Sequence, residues 1–263
     1  MTTTTTSPTD LGDFDPFDRD RYDRPLIPHP ETGEQLPYMR VSRFAGTLTE
    51  KFLGTWHQWW AVKAAVTHPD LAAPIAAAPS QKGQKKALEE LLDLVGMNMK
   101  RDRGSARHDR VRQALTGSPM PDLTDEQQRQ LAVVVGAVRS LGTIDAVEVP
   151  LVNDAWRLAG QCDYLGTTPD GQPFIADLKT GANRSPIEWG LQLIAYARSQ
   201  KWDRHTRQRL GWACPTEPRL YIVHAPQDTP DEVDIYTLDP PTCMILADTA
   251  NRVLEARRLD PTA

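Results

Sequence analysis

Ala159-Gly160-Gln161-Cys162-Asp163, followed by Asp177-Leu178-Lys179-Thr180-Gly181, is the stretch on which the reading of this chain turns. Between the two blocks, Pro169-Asp170-Gly171 supplies turn chemistry, so 157–165 and 173–180 read as the arms of a hairpin. Side chains alternate along a strand, which puts Asp177 and Lys179 on one face with Ile175 before them. Asp163 and Asp177 are nearly symmetric about Asp170 and so lie opposite each other or one register away. Two carboxylates and an ammonium then share a small patch.

Carboxylates held together on a sheet face repel, and burying them unpaired is costly, so the patch calls for a cation. Mg²⁺ or Mn²⁺ fits: both are hard ions that take one or two carboxylates plus waters and phosphate oxygens. A lysine beside such an ion orients an attacking water or stabilises charge on a phosphate. The triplet alone is weak evidence: with 24 Asp and eight Lys, about 0.7 Asp-x-Lys triplets are expected by chance. On spacing alone it also reads as a cross-strand ion pair on a solvated face. Its context adds weight, because Lys179 is the only lysine between residues 101 and 200.

Outward from this centre the pattern divides the chain. Residues 1–37 are rich in Thr, Asp and Pro and read as a disordered tail. They hold eight acids against three arginines, which is the whole of the formal charge of −5 and leaves 27 acidic and 27 basic residues in the remainder. The acidic balance therefore does not argue against a nucleic-acid partner. Residues 38–258 read as one domain, mainly helical over 38–141 and with the sheet core and a terminal helix over 142–258.

Helical spacing runs from Phe44 to about Ala78 with an interruption at Pro69, then through Ala87–Val95 and Ser105–Leu115. Thr124 with Gln127 forms a capping box for a helix reaching Leu141. Ala146–Leu151, Leu220–His224 and Asp234–Leu238 read as further strands, giving a mixed sheet of about five. Ser185-Pro186-Ile187-Glu188 starts a helix to about Ser199, and Thr242–Arg258 is the last. Trp56, Trp59 and Trp60 read either as a base-stacking platform or as helix packing. Residues 82–112 carry nine basic and five acidic groups, a local +4 suited to phosphate.

Three cysteines, Cys162, Cys214 and Cys243, make neither a disulfide framework nor a C-x-x-C knuckle and suit a reducing cytoplasm. The N-terminal stretch lacks the basic and apolar regions of a signal peptide, and no apolar run is long enough for a membrane span.

Taken together, the blocks resemble the PD-(D/E)xK nuclease superfamily, and within it the RecB-type branch that includes phage recombination exonucleases and CRISPR-associated nucleases. The resemblance covers about residues 100–200. Gly104-Ser105-Ala106-Arg107-His108 is similar to the family's histidine motif and Val147-Glu148-Val149-Pro150 to its glutamate strand. Gly160 to Asp163 resembles the Gly-x-x-Asp motif, Asp177 to Lys179 the Asp-x-Lys motif, and Gln192 to Tyr196 the Gln-x-x-x-Tyr motif.

The resemblance implies a restriction-endonuclease-like α/β fold, a mixed central sheet flanked by helices with a helical N-terminal layer. It implies His108, Asp163, Asp177 and the Leu178 carbonyl as ligands of Mg²⁺ or Mn²⁺, with Lys179 catalytic and Glu148 accessory. Gln192, Tyr196, Arg107 and Arg110 are the expected DNA contacts. The iron–sulfur members of the branch need four cysteines, so no cluster is expected, and without a G-x-x-x-x-G-K-[ST] motif no ATP is expected either. The implied activity is hydrolysis of DNA phosphodiesters, as an exonuclease in recombination or end processing, phage-encoded and acting in the host cytoplasm. A single-strand annealing protein or a helicase in trans is the implied partner, and the branch also admits an oligomer. A structure- or sequence-specific endonuclease and a catalytically silent DNA-binding scaffold are the alternatives.

Overall fold

The computed structural model describes residues 15–49, 52–94, 99–182, 184–214 and 216–259. At its centre, among the described residues, is an eight-stranded mixed sheet. Its strands are β4 (Met39–Arg40), β5 (Thr143–Asn153), β6 (Leu158–Thr167), β7 (Pro173–Lys179), β8 (Gln200–Asp203), β9 (Gln208–Trp212), β10 (Arg219–His224) and β11 (Asp234–Leu238). The main order is β11-β10-β7-β6-β5-β8-β9, with β4 beside β6. β7 and β10 are parallel, as are β4 and β6, while the other pairs are antiparallel.

The β7 sequence explains its central place. Phe174 to Leu178 are all buried, as a strand covered on both faces must be. On one face Ile175 joins Ile222 and Leu151 against α1 (Val41–Ala45), α7 (Pro186–Ala197) and α8 (Pro240–Ala256). On the other, Phe174, Ala176 and Leu178 pack with Val111 of α5 (Met99–Thr116) and Val134 and Val138 of α6 (Asp125–Ser140). The α6 start has the expected capping box: the Thr124 side chain accepts from Gln127 N, and Gln127 Oε1 accepts from Thr124 N. The helical N-terminal layer continues with α2 (Phe52–Thr67), α3 (Pro69–Ala77) and α4 (Gln81–Leu94), which share a small core around Ala64, Leu91 and Leu92. Pro69 begins α3 at its first position, where its missing N–H costs nothing.

Two expectations need correction. The sheet has more than five strands, because β4, β8 and β9 join it. Residues 15–37 are not an unstructured tail: they carry β1 (Asp18–Arg19), β2 (Pro25–Pro28) and β3 (Gln35–Pro37) as a separate three-stranded sheet. Its apolar residues are few, but Phe17 and Ile27, with Tyr38 just beyond, are buried against Val152, Ala159 and Trp202 of the main sheet. Surface lent by the domain makes up what the segment lacks. Residues 1–14 lie outside the described residues.

Candidate active site

The β6–β7 ladder runs from Thr167 opposite Pro173 to Tyr164 opposite Ala176. One step further stand Asp163 and Asp177, and there the backbone pairing gives way. The Asp163 side chain takes the next N–H instead, Oδ2 accepting from Leu178 N at 2.7 Å. β7 remains held on its other side, where Asp177, Leu178 and Lys179 pair with Ile222, Val223 and His224. The strands thus part where the two carboxylates stand, with the carboxylate-bearing end of β7 still anchored to β10.

Asp177 is buried, and its Oδ1 accepts from Gln192 Nε2 at 3.0 Å. Lys179 Nζ lies 2.5 Å from Asp177 Oδ2 and donates to Gln192 Oε1 at 2.7 Å. The Lys179 ammonium is thus the charged partner of the buried Asp177 Oδ2. One helical turn along α7, Tyr196 Oη lies 3.5 Å from Gln192 Nε2 and donates to the Gln161 carbonyl at 2.8 Å. A β-carbon on Gly160 would sit 3.1 Å from Val41 Cβ and 3.2 Å from the Tyr196 ring and hydroxyl. The glycine of the Gly-x-x-Asp block is therefore where α1 and Tyr196 close on β6.

The electrostatics follow from this crowding. Burial first, then the neighbouring Asp177 charge, push the Asp163 carboxyl well above the usual carboxylate range. Burial works against the Lys179 ammonium, but Asp177 and Asp163 outweigh it and raise its pKa. His108, on α5, has its Nδ1 3.5 Å from Asp163 Oδ2, and burial lowers its pKa, favouring the neutral imidazole that can ligate a metal. Gly104 lets α5 come this close: a β-carbon there would lie 3.0 Å from both Thr180 Oγ1 and Gln227 Nε2. A cavity of about 580 Å³ opens beside His108, lined by Ser105, Asp109, Gly181 and Gln227.

The structure thus brings together Asp163, Asp177, Lys179, Gln192, Tyr196 and His108. Glu148 lies close enough for its charge to help raise Asp163, and its carboxylate is 3.3 Å from Arg112 Nε. Its φ of +51° is unusual for a side chain in a strand and marks local strain. Arg112 is a member of this group that the sequence reading did not single out; no short motif contains it.

Arg107 requires correction. Its guanidinium donates to the carbonyls of Ala225, Pro226 and Pro230, fixing the segment between β10 and β11 rather than facing a ligand. Arg110 is half-buried. The basic stretch over 82–112 is further spent in Lys85–Glu89 and Lys86–Glu90 ion pairs along α4. Residues 95–98, and the side chains of 99–103, lie outside what the structure describes. Trp59 is exposed and Lys63 Nζ sits 5.0 Å over its ring, so it is not core; the side chains of Trp56 and Trp60 are not described.

The family model of the PD-(D/E)XK nuclease superfamily matches residues 53–249, from α2 into α8 and across every residue of this cluster. The chain belongs to the PD-(D/E)XK nuclease superfamily. No curated protein matches it. Membership implies a nuclease that hydrolyses its substrate, binds DNA and generally uses a divalent metal such as Mg²⁺ or Mn²⁺. The residues present fit such an ion. Two facing carboxylates, of which Asp163 is pushed well above the usual range by burial and by the Asp177 charge, are relieved by a cation. Among the described residues no group of three His, Cys, Asp or Glu side chains is placed to hold a metal ion by itself, so side chains alone do not complete a site. An open set suits an ion that keeps waters and takes phosphate oxygens. Among the described residues no helix of this PD-(D/E)XK protein is long and apolar enough to cross a membrane.

Proposed function

We propose that the protein is a Mg²⁺- or Mn²⁺-dependent deoxyribonuclease of the RecB-type branch, acting as an exonuclease in recombination or DNA end processing. The observation that carries the reading is the Asp177–Gln192–Lys179 triangle beside Asp163 and His108, at the place where β6 and β7 part. Asp163, Asp177, His108 and the Leu178 carbonyl would hold the ion, which when bound supplies positive charge to the scissile phosphate and acidifies water.

The chain's own residues do the rest. Lys179, kept protonated by its carboxylate neighbours, presents an ammonium to a phosphate oxygen and orients the attacking water. Gln192 fixes that ammonium and Asp177 at once, and Tyr196 is set on Gln161 beside them. Water attacks phosphorus, the P–O bond to the leaving sugar oxygen breaks, and the products are a phosphate end and a hydroxyl end. Unwinding or strand annealing would come from a partner in trans.

Labelled linear, circular and single-stranded DNA, each with Mg²⁺ or Mn²⁺, test this on the wild type, Asp177→Ala and Lys179→Ala. The expected result is nucleotide release from linear ends alone, lost by on the order of 10²–10⁴-fold in both variants. Cutting of circles would replace the exonuclease by an endonuclease. No cleavage by the wild type, or variants equal to it, would leave a DNA-binding scaffold.

A further inference from the structure

At the β4 end of β6 the three-stranded sheet, the turn between β5 and β6, and α8 enclose a groove of about 930 Å³. It is lined by six arginines: Arg24, Arg40, Arg43, Arg157, Arg252 and Arg258. Three acids, Asp23, Asp248 and Glu255, share it, so the lining is positive in a chain whose formal charge is −5. Arg24 pairs with Asp20 at 2.6 Å and Arg40 with Asp23 at 2.8 Å. Arg43, Arg157, Arg252 and Arg258 are exposed and make no ion pair among the described residues. Arg157 is presented from a backbone φ of +50°, a conformation costly for any residue with a β-carbon.

The wall of the groove is joined to the catalytic cluster through buried, packed chain. Arg40 pairs with Ala159 in the β4–β6 ladder, and Val41, the next residue, is the one that meets Tyr196 across Gly160. Ala159 is four residues from Asp163, about 13 Å of strand, the length of about four stacked nucleotides. A charged cleft of this volume takes one strand rather than a duplex. Tyr22, 63% exposed on the rim, holds the guanidinium groups of Arg21 and Arg24 at 4.6 and 5.4 Å over its ring, which adds positive charge there.

We propose that this groove binds the phosphate backbone of a single DNA strand running to or from the catalytic cluster, with Arg43, Arg157 and Arg252 as its principal contacts. The inference rests on the nuclease reading above and names how that site takes hold of its substrate beyond the scissile bond.

Fluorescence anisotropy of a labelled oligo(dT) of about 30 nucleotides in EDTA, over a salt series, tests it. The proteins are the full-length wild type, the triple variant Arg43→Gln/Arg157→Gln/Arg252→Gln, and a control altered at two exposed arginines of α6, Arg129→Gln/Arg139→Gln. Near-physiological salt should show the triple variant binding on the order of 10–100-fold more weakly. Its log–log salt slope should be shallower by about 2, at about 0.7 per lost phosphate contact, and the control should match the wild type. With metal restored and linear DNA, KM should rise while kcat stays within about twofold.

Affinity and slope unchanged in the triple variant would overturn the proposal, as would an equal loss in the control. Loss confined to duplex DNA would overturn the single-strand occupant. A wild type that cuts nothing, while the triple variant still loses affinity, would sink the catalytic reading and leave the groove standing.

Discussion

The amide of Gln192 and the ammonium of Lys179 meet at 2.7 Å, and the other end of the same amide donates to Asp177 at 3.0 Å. One side chain on α7 thereby sets the spacing of two groups on β7. Truncating it leaves both in place but free to rotate. Gln192→Ala should lower kcat on linear DNA by about 10–100-fold, the usual cost of losing a group that orients a site. Circular dichroism and melting should remain close to wild type. A variant as active as wild type would show that Lys179 needs no bracket.

Gly160 makes a sharper claim about position. A methyl group at 3.1–3.2 Å from Val41 and Tyr196 forces one of them to move. Gly160→Ala is expected to reduce cleavage by about tenfold and to lower stability by about 1–3 kcal/mol, and Gly160→Ala/Tyr196→Phe, which leaves the contacts with Val41 and the ring in place, to recover neither. Stability from urea unfolding and nucleotide release measured on the same preparations separate the two effects.

Asp163 carries the metal prediction. A carboxyl whose folded pKa is raised favours folding in its protonated form. That contribution is complete below the unfolded value near 3.9 and is lost as pH rises through the folded value. A pH above the unfolded value therefore burdens the metal-free fold at Asp163. Asp163→Asn should raise the metal-free melting temperature by a few degrees at pH 7, about 2–4 °C per kcal/mol for a chain of this size. Millimolar Mg²⁺ or Mn²⁺ should raise the wild-type value and leave the variant nearly unmoved. Equal metal shifts in both would exclude Asp163 as a ligand.

Acid stability should be governed elsewhere. Asp154 accepts from Arg209 at 2.6 and 2.7 Å and from Tyr38 at 2.7 Å. Burial opposes its charge, but these bonds prevail and hold it below the usual carboxylate range, while burial and Asp154 push Tyr38 up to about 12. A lowered folded pKa stabilises above the unfolded value and is lost as pH falls through the folded one. Asp154→Asn should cost about 1–2 kcal/mol at pH 7, and at a pH below its lowered folded value the gap from wild type should close. Urea midpoints at the two pH values check this.

The grouping of Asp163, Asp177, Lys179, Gln192 and Tyr196 in space was largely legible because these residues are tied to local spacing. Asp-x-Lys fixes a face of one strand, a symmetric turn brings Asp163 opposite Asp177, and Gln192 and Tyr196 are one helical turn apart. What was illegible depends on partners distant in sequence. Phe17, Ile27 and Tyr38 look too sparse for a core until Val152, Ala159 and Trp202 are added. β8 and β9, at one edge of the sheet, are largely polar and lack the apolar alternation of an inner strand. The Ser185-x-x-Glu188 start reads as reciprocal capping, yet Ser185 makes no side-chain cap and Glu188 instead accepts from Thr49 Oγ1 at 2.6 Å. Arg107 and Arg157 cannot be told apart by type. Only the fold shows that one ties a loop and the other stands in a groove.

The two-rung pairing of β4 with β6 has a consequence for the order in which the molecule is completed. Met39 and Arg40 leave the ribosome about 120 residues ahead of Leu158 and Ala159, their partners. At roughly 5–20 residues per second, the early segment waits on the order of ten seconds for the strand it must join. The wall of the groove is thus made first and seated late, so the nascent chain acquires the parts of its substrate path separately and joins them only when β6 emerges.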